Sequence, residues 1–218
     1  PLTLLKLDAS HHIVVLELGT NQPGDIRWLA QIAQPTTVLF TNIGQSHLAG
    51  LKNQRGVFNE KIQLLNYMDP RGTVIFNGDD RYLAAISEKK YLKKMIRFGL
   101  EQVADYQAGH IVILNNRQLK FKLQEQTFKI NSPGKHNVYN ALAAISCGRL
   151  NKIRYNDINK AFSRFQFRDA RQEIIKNGRF WLIYDTYNAN PLSLKSALDM
   201  LDSLTVKGKR ILVCADML

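Results

Sequence analysis

Apolar positions along this chain follow two different spacings in turn, which predicts alternating strands and helices. Short continuous apolar runs are typical of buried strands, and apolar residues that recur every three or four positions are typical of one helix face. In the first part of the chain, this pattern predicts strands over 12–18, 37–43, 73–76 and 95–98 and helices over 23–33, 56–68 and 80–87. Strands that alternate with helices favour parallel βαβ units.

The pattern changes at two later points. Near residue 105 it becomes a series of short alternating runs separated by turn residues, which predicts a small antiparallel meander over 111–114, 119–123 and 127–130. Helices are predicted over 137–150, 155–165 and 191–204, the last with Asn190 as its N-cap, and strands over 172–176, 181–185 and 210–215. We therefore expect an α/β fold, with a first domain over 1–167 and the start of a second over 168–218.

Lys61 is the unusual residue of the predicted helix 56–68. Its helix face is otherwise apolar, because the residues three, four and seven positions away are Val57, Phe58, Leu64, Leu65 and Met68. A buried ammonium is costly unless it is paired or loses its charge. Either the side chain extends to the surface, or it pairs with Glu60 or Asp69, or it has a functional partner.

Polar side chains follow several predicted strands at their carboxyl ends, where open α/β sheets bind ligands. Glu17 ends the first strand, His47 lies a few residues beyond the second, and Asp185 ends a strand of the last part. Each one alone is more typical of a loop hydrogen bond or a helix cap. Together, a carboxylate, a histidine and a lysine could hold a hard cation, provided that Lys61 is converted into an oxygen ligand, since an ammonium cannot bind a metal.

Composition narrows the classes of function. The net charge of +12 and the pI near 9.8 suit anionic or phosphorylated ligands. The densest basic segment, 89–94, is typical of a solvated face, and we expect no nucleic-acid partner. No apolar run approaches the length of a membrane-spanning helix, so we expect no membrane span. The two cysteines lie far apart without metal-ligand spacing, which favours a reducing compartment.

Several motifs, in order and spacing, resemble the ATP-dependent Mur ligases of peptidoglycan synthesis. They are ELGTNQPGDI, TNIGQSHLAGL, FNGDD, SPGKHNVYNALAA and YDTYNANPLSLKSAL. The resemblance covers nearly the whole chain and is closest to the members that add D-alanyl-D-alanine to the UDP-MurNAc-tripeptide. It implies a P-loop-NTPase-like ATP-binding domain with a mostly parallel sheet, followed by the start of a Rossmann-like C-terminal domain.

The resemblance also implies roles for individual residues, with ATP and Mg²⁺ as cofactors. Lys61, as a carbamate, would hold magnesium together with Glu17 and His47, and these three would be the catalytic residues. The residues implied to meet the nucleotide lie on two later segments: His136, Asn137 and Asn140, then Arg171, Asp185, Tyr187, Asn188 and Asn190.

The implied activity is amide-bond formation through an acyl phosphate. The substrates would be UDP-MurNAc-tripeptide and D-alanyl-D-alanine, and the protein would be a cytoplasmic monomer. Two alternatives stay open: another Mur-type amide ligase, either amino-acid-adding or folylpolyglutamate-like, and a non-catalytic Mur-like module that binds nucleotide. The chain contains no G-x-x-G-K-[ST] phosphate loop, so we expect these 218 residues not to catalyse ligation by themselves.

Overall fold

The main sheet has six strands that lie side by side in chain order. The structure is a computed structural model that describes residues 2–44, 48–86, 91, 93–167 and 170–215. The strands are β1 Thr37–Phe40, β2 Thr73–Asn77, β3 Lys94–Gly99, β4 Tyr106–Leu114, β5 Gln118–Leu123 and β6 Gln126–Ile130. Strands β1 to β4 pair in parallel and β4 to β6 antiparallel, which confirms the predicted parallel sheet and meander and joins them into one sheet.

Helices and a separate hairpin complete the fold. The helices are α1 Asp25–Ala33, α2 Leu48–Leu51, α3 Gln54–Ile62, α4 His136–Leu150, α5 Tyr155–Arg164 and α6 Pro191–Ser203. Strands β7 Glu173–Asn177 and β8 Phe180–Tyr184 form a two-stranded antiparallel sheet. Within the described ranges, no helix combines the length and the apolar character that crossing a bilayer requires.

Strand β2 lies between two apolar cores, and all five of its residues are buried. Side chains on a strand point alternately to opposite faces. Ile75 therefore joins the core formed with α4 and the meander, whereas Val74 and Phe76 join the core formed with α3. This placement brings the end of β2 between α3, which carries Lys61, and α4, which carries His136, Asn137 and Asn140.

A buried carboxylate joins α3 to the start of α1. The side chain of Glu60 is only 2% exposed and accepts hydrogen bonds from the amides of Gly24 (3.0 Å) and Ile26 (2.9 Å) and from Nε2 of Gln63 (2.8 Å). The first amides of a helix have no partner within the helix, and the helix dipole favours a negative charge there. Glu60 therefore satisfies the N-terminus of α1 from a distant part of the chain.

Two predicted strands are wrong in the described residues. Neither 12–18 nor 210–215 forms a strand, although both are apolar. Val15 remains 83% exposed and Val213 92% exposed. A strand needs a neighbour to pair with, and neither segment is paired with a strand of the two sheets. Glu17 therefore lies in a segment without regular secondary structure and not at the end of a strand of the sheet.

The predicted helix over 80–87 is also wrong for residues 80–86, where only a 3-10 turn over Leu83–Ala85 forms. The carboxylate of Asp80 accepts from the amides of Tyr82 (2.9 Å) and Leu83 (3.0 Å). Such side-chain bonds to the nearby backbone compete with helix formation. The same carboxylate also accepts from the amide of Ile43 at 2.7 Å, which fixes the turn against the loop after β1.

Candidate active site

Lys61 lies among the apolar side chains that the sequence predicts. All five of the residues predicted on its face belong to the core around α3 or pack against it. The α-helix begins earlier than predicted, at Gln54 behind the Asn53 cap. It is also shorter than predicted, because it gives way to a 3-10 helix over Gln63–Asn66. Lys61 is half-buried. Within the described part of the chain its amine makes no hydrogen bond or ion pair, so neither Glu60 nor Asp69 pairs with it.

The surroundings of Lys61 change its acid–base chemistry. Burial lowers the pKa of the amine below its ordinary value, and the carboxylate of Asp80 opposes that change without cancelling it. A lower pKa increases the fraction of neutral amine. Because the neutral amine is the form that reacts with carbon dioxide, this environment favours carbamate formation.

Of the other two predicted magnesium ligands, the described residues include only Glu17, which forms no ion pair with Lys61. Glu17 is exposed and lines a small cavity beside the last turns of α1, with Leu29 and Ile32. His47 lies outside the described residues. No group of three histidine, cysteine or acidic side chains among the residues described is placed to hold a metal. The magnesium site therefore stays a prediction, and the chemistry of its donors fits a hard cation only if Lys61 carries an added oxygen ligand.

Two adjacent carboxylates at the end of β2 organise the loops around this region. Asp80 holds the loop after β1 through Ile43, as described above. Asp79 accepts from the amides of Leu100 (2.6 Å), Glu101 (3.0 Å) and Gln102 (2.8 Å), which follow β3. Sequence reasoning quoted both residues only within the FNGDD motif and assigned neither a role in the site. The signal was present, since both directly follow a strongly apolar strand.

Asp79 also connects the sheet to α4. The hydroxyl of Tyr139 donates to its carboxylate at 3.0 Å. Burial alone would raise the pKa of Asp79, but the amides and this hydroxyl together hold the pKa below its ordinary value. Asp79 thereby positions the first turns of α4, where the predicted nucleotide-facing residues lie.

Replacing Tyr139 by phenylalanine is expected to cost about 1 kcal/mol of unfolding free energy at neutral pH, because one hydrogen bond to an ionised carboxylate is lost. The pKa of Asp79 is depressed in the folded state, so this contribution is present above the unfolded pKa of about 4 and disappears as the pH falls through the folded pKa. Urea unfolding at several pH values measures it. Tyr155→Phe is the matched control, because its hydroxyl makes only a long, exposed bond of 3.4 Å to Gln124. Equal losses in both variants would contradict the role of Asp79.

The base-facing residues predicted on α4 come together at its first turn. Asn137 is 6% exposed; its Nδ2 donates to Oγ of Ser132 at 2.8 Å and its Oδ1 accepts from Nδ2 of Asn140 at 2.9 Å. His136 is half-buried beside it, and burial lowers the pKa of its imidazole despite the opposing effects of Gln172, Asp185 and Asp199. A neutral imidazole and two amides offer hydrogen-bond donors and acceptors without net charge.

The residues predicted on the later segment cluster around the ends of the β7–β8 hairpin. The guanidinium of Arg171 stacks on the ring of Tyr187, 3.8 Å from its centroid, and Asp185 accepts from the amide of Gln172 at 3.3 Å. Asn190 forms the predicted N-cap of α6, accepting from the amide of Ser193 at 2.9 Å. Asn188 is exposed, and no side-chain hydrogen bond forms there in the described residues.

The two segments meet through a residue that sequence reasoning missed. Gln172 lies directly before β7; its Oε1 accepts from Nδ2 of Asn137 at 2.7 Å, and its Nε2 lies 2.7 Å from Nε2 of His136. A second contact supports the first, since Asn116 exchanges two hydrogen bonds with the backbone of Thr205. The candidate site is therefore lined on one side by the first turn of α4 and on the other by the residues around the β7–β8 hairpin.

This architecture defines an α/β protein with a mostly parallel sheet and a polar site between that sheet and a following hairpin and helix. Residues 1–148 match the Mur ligase middle domain, and the chain belongs to the Mur ligase family.

Individual relatives agree with this membership. The UDP-N-acetylmuramoyl-tripeptide–D-alanyl-D-alanine ligase of Bacillus subtilis is 35% identical over all of this chain and 47% of its own length. The UDP-N-acetylmuramate–L-alanine ligase of a Hydrogenobaculum species is 33% identical over 79% of this chain and 39% of its own length. A crystal structure of MurF from Acinetobacter baumannii superposes with a TM-score of 0.87 at 29% identity, covering 94% of this chain and 45% of the other. The chain thus spans about half the length of the relatives that it matches.

Proposed function

We propose that this chain is part of an ATP-dependent ligase that adds D-alanyl-D-alanine to UDP-MurNAc-tripeptide. The observation that carries the proposal is the contact of Asn137 and His136 on α4 with Gln172, which follows the pair of Arg171 and Tyr187 (the Arg171 cluster), in a chain of the Mur ligase family. The similarity to the Bacillus subtilis ligase over the full chain supports this choice of substrates. We further propose a monomer in which residues 1–167 belong to the ATP-binding domain and 168–218 to the next domain.

The proposed reaction passes through an acyl phosphate. The peptide carboxylate takes the γ-phosphoryl group of ATP, releasing ADP, and the amine of the dipeptide then displaces phosphate and forms the amide. Both steps bring anions together, so positioning and charge neutralisation contribute most of the catalysis. Magnesium, when bound, would supply positive charge to the phosphates.

The residues of this chain would position the reactants. Asn137 and His136 would offer hydrogen bonds to the base, with Asn140 orienting Asn137. Arg171 would present its positive charge to the nucleotide from the opposite wall, beside Asp185, Tyr187, Asn188 and Asn190. Lys61 as a carbamate, Glu17 and His47 would supply anionic and imidazole ligands to the metal. Each of these roles is a proposal for the full-length protein.

A second function is favoured by one observation. The L-alanine-adding relative from Hydrogenobaculum is nearly as similar to this chain as the Bacillus subtilis ligase, although it covers less of it. Another amide ligase of the same family is therefore the alternative, with the same nucleotide chemistry and a different acceptor.

A substrate panel distinguishes the two functions. The full-length protein is incubated with Mg·ATP and each UDP-MurNAc acceptor in turn, from the unmodified sugar acid to the tripeptide, and with L-alanine or D-alanyl-D-alanine as the amine. We expect phosphate release and a new amide only with the tripeptide and the dipeptide together. Turnover with a shorter acceptor would favour the alternative, and no turnover with any pair would contradict both.

A further inference from the structure

Gln172 contacts Asn137 and His136, the two residues that would bind the nucleotide base in the proposed function. Its side-chain amide contacts Asn137 and His136 at 2.7 Å each. Both Nδ2 hydrogens of Asn137 are already used, one by Ser132 and the other by Gln172. A ligand that needs a hydrogen bond from Nδ2 of Asn137 must therefore displace Gln172 or Ser132 first.

The chemistry of a glutamine amide suits this position. The amide presents an acceptor and a donor side by side, as N7 and the N6 amino group of adenine do. An amide nitrogen can only donate, so the contact between Nε2 of Gln172 and Nε2 of His136 is a hydrogen bond in the neutral tautomer whose Nε2 is unprotonated; in the other tautomer the same ring nitrogen donates to Oε1 of Gln172 at 3.1 Å. Gln172 thus offers Asn137 and His136 the same pair of partners that a purine edge would offer.

The backbone of Gln172 links this contact to the hairpin. Its amide donates to Asp185, and its neighbours are Arg171, stacked on Tyr187, and Glu173, the first residue of β7. Its φ of 51° lies in the left-handed region, which few glutamines adopt without support from their surroundings. Releasing its side chain from α4 therefore also releases one of the ties between the hairpin and the sheet.

We propose that Gln172 is a positioning residue that competes with the purine base for Asn137 and His136, so that nucleotide binding separates the β7 end from α4. The inference rests on the proposed function, because it assigns those two residues to the base. Gln172 then lowers nucleotide affinity in the free protein and connects base binding to movement of the Arg171 cluster.

The test measures the dissociation constants of Mg·ADP and of inorganic tripolyphosphate for the full-length protein by calorimetry. Gln172→Ala and the similarly sized Gln172→Met are each expected to bind Mg·ADP about three- to tenfold more tightly, since one or two competing hydrogen bonds are removed. Tripolyphosphate, which has no base, is expected to bind with unchanged affinity. Gln126→Ala, at an exposed glutamine of β6, is the control and should change neither constant.

The affinities for Mg·ADP and for tripolyphosphate together test the inference. Unchanged or weaker Mg·ADP binding in both Gln172 variants would overturn the inference, and so would equal tightening for tripolyphosphate, which would indicate a general opening of the site. Asn137→Ala distinguishes a failure of this inference from a failure of the proposed function. If it weakens Mg·ADP binding while the Gln172 variants do not tighten it, only the inference fails; if the parent protein binds no nucleotide, the proposed function fails as well.

Discussion

Replacing Lys61 by arginine in the full-length protein is expected to abolish ligation as completely as replacing it by alanine, with kcat reduced roughly a hundred- to thousandfold. Arginine keeps a positive charge and much of the length, but a guanidinium does not lose its proton and cannot form a carbamate. In the proposed form of Lys61, the neutral amine adds carbon dioxide and releases a proton, which leaves an anion. The half-buried amine has a lowered pKa and forms no hydrogen bond or ion pair in the described residues, so it is suited to that step.

The measurement is phosphate release coupled to amide formation, with and without added bicarbonate. The parent protein should lose activity in buffer freed of carbon dioxide and regain it when bicarbonate is restored, whereas neither Lys61 variant should respond. Lys122→Arg, at an exposed lysine on β5, is the matched control and should leave turnover unchanged. Retained activity in Lys61→Arg would mean that positive charge is what the site requires, and the carbamate proposal would fail.

Elements whose identity depends on their own side chains could be predicted from the sequence. Strand β2 is buried on both faces, and its continuous apolar run indicates this directly. Helix α6 was equally predictable, because Asn190 and Pro191 specify its start through local bonds and a fixed φ. The clustering of His136, Asn137 and Asn140 belongs to the same group, since helical spacing places all three in about one turn of α4.

Elements that depend on distant partners could not be predicted. Residues 12–18 have the composition of a strand, yet a strand forms only where another strand pairs with it. Asp80 stops the predicted helix partly through a bond to Ile43, 37 residues earlier in the chain. Gln172 joins α4 across 35 residues, and a single glutamine after an arginine has no pattern that would have indicated this contact.

The adjacent pair Glu60 and Lys61 illustrates the same limit. Helical spacing correctly placed Lys61 on the apolar face, but it did not indicate that Glu60 would be the more deeply buried charge. Periodicity gives the direction of a side chain, whereas the cost of burying it depends on partners from elsewhere. Here those partners are the amides of Gly24 and Ile26, more than 30 residues away.

Replacing Glu60 by alanine is expected to lower the unfolding free energy by about 3 kcal/mol, because it leaves buried amides at the start of α1 without a partner. It also removes a negative charge from the positive end of that helix. Glu60→Gln should cost roughly half as much, since its Oε1 can still accept from the amides of Gly24 and Ile26, while its amino group cannot replace Oε2 as the acceptor for Gln63. Urea unfolding of the full-length protein gives the free energies.

Hydrogen exchange separates this local effect from a general loss of stability. In Glu60→Ala, the amides of the first turn of α1 should exchange faster, while those of β2 should change only in proportion to global stability. Glu125→Ala, at an exposed glutamate between β5 and β6, is the control and should shift the unfolding free energy by no more than about 0.5 kcal/mol. A similarly small loss in Glu60→Ala would mean that water replaces the carboxylate at the helix start. The tie between α1 and α3 would then not fix the position of Lys61, which follows Glu60 on the same helix.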